Sequence, residues 1–262
     1  MSLQNKNAIV YGAGGFIGGE VARKFAREGA RVFLVGRTQE TLEKVAAQIA
    51  EAGGQASVAV VDALDEAAVD QHAQTVVDQA GSIDVSINLI SRGDVQGIPL
   101  IDMTTADLLR AVSNGLTTNF ITSRAAARQM VKQGSGVILA LNSGSAHGSP
   151  MMGSTGPVDA ATDILVRNLA HELGPRGVRV LGIWTAGLPE TFTLERLNAV
   201  NSTMQLDEAG LQALYQQLDS MRATKKSPRL AEVAATAAFL ASDDAGAITG
   251  TWLNVSSGMF QD

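Results

Sequence analysis

The chain has 262 residues, 20 basic and 26 acidic side chains, a net charge of −6, and 45% hydrophobic residues against 18% charged. That apolar content suffices for a sizeable core, and 27 glycines with only 6 prolines lie far from a disordered or collagen-like composition. The acidic balance argues against a nucleic-acid partner, and the absence of cysteine excludes disulfides, thiolate metal sites and cysteine nucleophiles.

In chain order, a strand is predicted over 8–11, then a glycine-rich turn and a helix in which Ile17, Val21 and Phe25 recur every four residues, ended by Gly29. A second strand over 32–35 leads through Thr38, an N-cap candidate, into a helix whose core face carries Leu42, Val45, Ala46 and Ile49 and which Gly53 and Gly54 close. A strand over 57–61, a helix over 65–79 and a strand over 83–89 follow, then a mostly helical stretch over 104–132. The pattern continues with a strand over 137–141, a helix over 158–173 and a strand over 178–184. Residues 187–228 interrupt this rhythm with a helical insertion striped by Leu211, Leu214, Leu218 and Met221, either a lid over a substrate pocket or a helix packed on the body. A helix over 230–240 and a strand over 252–255 end the pattern. Alternating strands and helices predict an α/β fold: one doubly wound Rossmann domain over 1–262 with a parallel, seven-stranded sheet.

Gly12, Gly15 and Gly18 sit between the first strand and first helix. There a phosphate-binding turn uses them for tightness, close backbone approach and helix packing, with the helix N-terminus facing a pyrophosphate. At the end of the second strand stand Gly36, Arg37 and Thr38, where an acidic residue would select NAD; a guanidinium and a hydroxyl instead suit a 2′-phosphate, so NADP is expected over NAD. Asp62 can accept a hydrogen bond from the adenine amino group or cap the next helix.

Two further stretches carry a resemblance. Leu169-Ala-His-Glu-Leu-Gly-Pro-Arg-Gly-Val-Arg-Val180 resembles the segment that enters strand six in the short-chain dehydrogenase/reductase family. Residues 229–258, with Ala238-Phe-Leu-Ala-Ser-Asp243 and Ile248-Thr-Gly250, resemble its C-terminal signature. The likeness runs from about residue 7 to 259 and implies an oxidoreductase acting on a small molecule, assembled as a homotetramer or dimer through the helices after strands four and five. It also implies a cofactor site in which Phe16 and Ile17 join the three turn glycines, Arg37, Thr38 and Asp62, with Asn88 after strand four and Gly187 and Thr191 after strand six.

Against that pattern, Phe16 stands where standard members place a middle glycine, and Asn88-Leu-Ile-Ser91 replaces Asn-Asn-Ala-Gly. The helix asparagine that positions a relay water falls at Gly115, next to Asn114. Ser143 matches the serine that hydrogen-bonds a substrate carbonyl, but the tyrosine falls at Thr155 and the lysine at Asp159. A threonine hydroxyl is far less acidic than a phenol of pKa about 10, so alcohol oxidation by Ser-Tyr-Lys chemistry is not expected. Asp159 is read either as an acidic residue near a helix start, after Gly156 as N-cap and Pro157 at the first helical position, or as an acceptor for nicotinamide ribose hydroxyls. His147 is a substitute proton donor or a plain loop residue, and Arg92 a ligand for a substrate anion or a surface ion pair.

The catalytic candidates are therefore Ser143, His147, Thr155 and Asp159. The leading expectation is NADP(H)-dependent reduction of an activated C=C or C=O; the alternatives are a non-redox lyase or isomerase on the same scaffold and a cofactor-binding protein without turnover. His72, His147 and His171 are too scattered for a zinc site. No apolar run reaches the roughly 18 residues of a membrane span, and residues 1–7 lack a signal-peptide core, so a cytoplasmic protein without membrane or metal partners is expected.

Overall fold

The computed structural model describes residues 1–200 and 206–259. β1 (Asn7–Tyr11), β2 (Arg31–Gly36), β3 (Gln55–Val60), β4 (Val85–Asn88), β5 (Gly136–Asn142), β6 (Val178–Trp184) and β7 (Trp252–Asn254) form one sheet in the order β3-β2-β1-β4-β5-β6-β7. Each neighbouring pair is parallel. α1 (Phe16–Arg27), α2 (Gln39–Glu51), α3 (Glu66–Ala80), α4 (Thr105–Gln133), α5 (Thr155–Leu173) and α8 (Leu230–Ala241) cover it.

Side chains alternate across each strand, so two cores form. Ala8, Val10, Val32 and Leu34 pack with Val21, Phe25, Leu42, Ile49 and Leu240 on one face. Ile9, Tyr11, Phe33 and Val35 pack with Val69, Val76, Ile121, Met130 and Val166 on the other. With both faces covered, all five residues of β1 are buried. The sheet order reverses between β1 and β4, where Tyr11 pairs with both Val35 and Asn88; a crevice opens beyond the strand ends at such a reversal.

The predicted helix over 158–173 begins three residues earlier, at Thr155, and its N-cap is Ser154 rather than Gly156. Pro157 therefore lies within the first turn instead of at its first position, where its missing N–H still breaks no helical bond. Asp62 does not cap α3: Asp65 does, accepting from the Ala68 N–H at 3.0 Å. Thr38 is the N-cap residue of α2 but makes no side-chain capping bond.

Within 187–228 the chain forms a short 3₁₀ turn (Pro189–Thr191), α6 (Leu194–Val200) and α7 (Glu208–Met221). Of the expected stripe only Leu211 is buried, while Met221 is exposed. The insertion's far end is fixed by Arg222, a fully buried guanidinium that donates to the carbonyls of Ser256 (2.6 Å), Ala186 (2.9 Å) and Gly187 (3.1 Å). No helix among the described residues is long and apolar enough to cross a membrane, and no cluster of three or more metal-ligating side chains occurs among them.

Candidate active site

The turn after β1 is built by glycines whose neighbours leave no room for a side chain. A Cβ on Gly12, at φ +78°, would lie 2.5 Å from the Leu89 carbonyl oxygen, and one on Gly18 would lie 2.1 Å from that of Gly12. Gly15 differs: its Cβ would meet only the Gly12 oxygen at 3.4 Å, so the backbone stands open to the crevice. Gly15 is also the N-cap of α1 and carries no side chain to satisfy the first N–H groups, leaving the positive end of a 12-residue helix available to an anion. Phe16 and Ile17 continue the rim, and the Arg196 guanidinium of α6 lies 5.1 Å over the Phe16 ring.

This turn opens into a cavity of about 600 Å³. Gly12, Gly15, Phe16, Ile17 and Gly18 line one side, Arg37, Thr38 and Asp62 the end beyond β2, and Asn88, Gly187 and Thr191 the rest. Every residue expected to hold the cofactor thus meets in one place. Arg37 and Thr38 are exposed, and Asp62 accepts from the Leu64 N–H at 3.0 Å. Asn88 donates to the Thr122 hydroxyl at 3.1 Å and accepts from the Ile90 N–H at 3.0 Å, which ties the end of β4 to α4. The open glycine cradle, the uncapped helix start and the exposed guanidinium fit a dinucleotide, with its phosphates on the cradle.

Of the four catalytic candidates, Ser143 lines the cavity; His147, Thr155 and Asp159 do not. Thr155 is buried at the start of α5, and its hydroxyl accepts from the Gln96 amide at 3.1 Å. The exposed His147 lies in a 3₁₀ turn with its ring edge-on to Trp184, centroids 4.8 Å apart. Asp159 is fully buried, outside the first turn of α5, so neither the helix-end reading nor direct contact with a ribose holds. Both its oxygens are engaged: one receives Arg92 Nη1 at 2.5 Å, the other the Ser143 N–H (3.1 Å), the Ser145 N–H (3.0 Å) and the Ser143 hydroxyl (2.6 Å).

The last bond fixes a direction. A carboxylate only accepts, so Ser143 donates its single proton to Asp159, and the 2.8 Å contact between the Ser143 and Ser145 hydroxyls is donated by Ser145. Ser143 therefore offers the cavity no proton in this arrangement, contrary to the role the resemblance implied.

Arg92 is the residue the sequence undervalued. Its side chain is 14% exposed, so the ion pair is buried rather than superficial: besides Asp159 it binds Asp94 through Nη2 at 3.0 Å and Nε at 3.3 Å. Burial works against its charge, yet Asp94 and Asp159 outweigh that and hold the guanidinium above the ordinary arginine pKa. Its stem fills the space over Gly115, where a Cβ would lie 2.7 Å from Arg92 Cδ and 2.6 Å from Val158 Cγ2. Asn114 points its amide at the Arg92 carbonyl, 3.3 Å away. Behind Asp159, the Asp163 carboxyl accepts from the Asn142 amide at 2.8 Å, and burial raises its pKa against that bond.

A family model described as "Enoyl-(Acyl carrier protein) reductase" matches residues 12–260. The 7alpha-hydroxysteroid dehydrogenase of Escherichia coli (strain K12) is 31% identical over 263 residues, covering 100% of this chain and 97% of that protein. Among solved structures, NAD+-bound xylitol dehydrogenase superposes with a TM-score of 0.87 at 28% identity, over 98% of this chain and 100% of that one. A 7alpha-hydroxysteroid dehydrogenase complexed with NADH and 7-oxo glycochenodeoxycholic acid gives 0.83 at 30% identity, over 99% and 96%.

Proposed function

The chain belongs to the short-chain dehydrogenase/reductase family of oxidoreductases, and from that premise we propose that it is an atypical member without the Tyr-x-x-x-Lys pair: an NADP(H)-dependent reductase of an activated C=C or C=O in a small molecule. A single observation carries the reading. A cavity lined by every residue expected to hold the cofactor adjoins a substrate end in which Thr155 and a buried, ion-paired Asp159 stand at the tyrosine and lysine positions. When bound, the nicotinamide supplies a hydride. The glycine turn and the α1 N-terminus receive the pyrophosphate, Arg37 and Thr38 the 2′-phosphate, and Asp62 the adenine amino group. Asn88, Gly187 and Thr191 line the remainder. Asp159 holds Ser143 and Arg92 at the substrate end but touches no ligand itself.

The non-redox alternative needs an acid–base pair of Ser143 and His147, and the His147 ring, edge-on to Trp184 and outside the cavity lining, gives it no support. Assembly as a tetramer or dimer belongs to the same proposal, supported by exposed Phe120 on α4 and Ile164 on α5.

The test is a titration of NADPH and NADH into the wild-type protein and Arg37→Ala. A charge-assisted bond to phosphate is worth about 1.5–3 kcal/mol, so NADPH binds about tenfold or more tightly and the variant loses that preference. Equal affinities, or an unchanged preference in Arg37→Ala, refute the assignment of cofactor. NADPH binding without consumption across a panel of activated double bonds leaves a cofactor-binding protein.

A further inference from the structure

We infer, resting on the reductase reading above, that the double bond this site takes is a protonated imine, C=N–H⁺, reduced to an amine. The charge of the substrate end points there. Arg92, set between Asp94 and Asp159, is one guanidinium against two carboxylates, a net single negative charge; Arg92 and Asp94 line the cavity, at 14% and 17% exposure, with buried Asp159 directly behind. Asp163, beyond Asn142, has its pKa raised by burial and faces Arg167, so it adds nothing to this count. Of the other guanidiniums, Arg110, packed near Gly93, is engaged by Asp107 at 2.7 Å, and Arg196 lines the cavity on the glycine-turn side, over the Phe16 ring. In a partly desolvated pocket such an imbalance favours a cation and keeps a bound imine protonated.

Much of the donor capacity of the wall is already taken up, the exposed Ser91 hydroxyl apart. Ser143 donates to Asp159, Thr118 to the Gly115 carbonyl (3.3 Å), Thr185 to the Val255 carbonyl (3.1 Å), and three N–H groups of Arg92 go to the two carboxylates. Asn119 Oδ1 and Asn142 Oδ1 are acceptors without a partner but are themselves enclosed, so the acceptor that a ligand meets at this end is the partly exposed Asp94 carboxylate. A ketone or enone brings only another acceptor, whereas an iminium brings an N–H and the complementary charge.

The chemistry then dispenses with the missing acid. Hydride addition to a ketone leaves an alkoxide that must be protonated, but Ser143 gives its proton to Asp159 and the buried Thr155 does not line the cavity. An iminium carbon gains the hydride while the C=N π pair becomes the nitrogen lone pair. The reduced nicotinamide is oxidised in the same step, and a neutral amine results with no proton delivered by the protein.

The experiment offers the protein and NADPH a five-membered cyclic imine beside the ketone and enone of the same ring size, followed by NADPH absorbance and by mass spectrometry with [4-²H]NADPH. The imine is expected to react at least about 100-fold faster in kcat/KM, with deuterium on the carbon next to nitrogen. Independently of turnover, calorimetry on the protein with NADP⁺ should find the saturated cyclic ammonium at least about tenfold tighter than the cyclic alcohol. Asp94→Asn, at the cavity surface rather than in the core, should erase most of that difference. Reduction of the ketone or enone with an inert imine overturns the iminium assignment and leaves the reductase reading standing. Consumption of none of the three overturns both. Equal binding of ammonium and alcohol, or an ammonium affinity indifferent to Asp94→Asn, overturns the charge argument.

Discussion

Replacing Arg92 with methionine removes the charge while retaining an aliphatic stem over Gly115 and Val158, so the loss of packing is small and the electrostatic loss dominates. Asp159 is then a fully buried carboxylate stripped of its cation, a change that costs about 3–5 kcal/mol when one member of a buried pair is deleted. The Ser143 N–H, the Ser145 N–H and the Ser143 hydroxyl still serve one of its oxygens, which places the expected loss near about 3 kcal/mol. Urea unfolding followed by the fluorescence of Trp184 and Trp252, stacked 6.1 Å apart in the second core, reads this directly. Arg92→Met with Asp159→Asn should be less destabilised than the sum of the two single variants, with a coupling of about 1–3 kcal/mol, because the second change removes the charge the first one orphans. A loss below about 1 kcal/mol with additive variants would show that water already compensates the pair and that it does not organise the substrate end.

Burial lowers the pKa of His72, which packs edge-on against Tyr11, to about 4, against about 6.5 in an unfolded chain. Between those values the unfolded state binds a proton that the folded state does not, so stability is full above pH 6.5 and falls by about 3 kcal/mol as the pH drops to 4. His72→Leu should flatten that part of the stability-versus-pH curve, and an unchanged slope would contradict the assignment. Phe16→Gly removes the ring beneath Arg196 and should weaken NADPH binding about two- to fivefold, in line with an exposed cation–π contact of about 0.5–1 kcal/mol; a matching loss in Arg196→Ala, not additive with the first, would tie both to one contact. Thr155→Tyr with Asp159→Lys should not raise alcohol oxidation above the wild-type rate, because the introduced ammonium faces Arg92 and the stem over Gly115 still fills the relay position; brisk oxidation by a folded double variant would refute this.

The order of strands and helices was legible because both faces of the sheet are covered, which makes strands read as short β-branched runs and helices as four-residue repeats. Strand ends were less legible, since pairing rather than composition sets them. Polar Asn7 belongs to β1 because its amide is taken by the Ala80 carbonyl and the Ser82 hydroxyl. That the residues around the glycine turn line one cavity could be read locally, as they follow strand ends in a fixed order. The substrate end could not. Gly156, Pro157 and Asp159 imitate a helix start, while the partner that defines Asp159 lies 67 residues away at Arg92. Nor does a sequence carry the direction of the Ser143 proton, which depends on a carboxylate brought beneath it by α5.

Arg222 has a consequence for how the molecule can be handled. Its guanidinium clasps two carbonyls of the loop after β6 and one from Ser256, just beyond β7, and that loop also forms a wall of the large cavity. The segment after β7 is thereby a structural prop of the cavity that begins at Gly12. Removing residues 255–258 would unclasp the loop, so the cavity wall would loosen before the sheet did. Changes to that segment are therefore changes to the cavity, although it lies more than two hundred residues from the glycine turn.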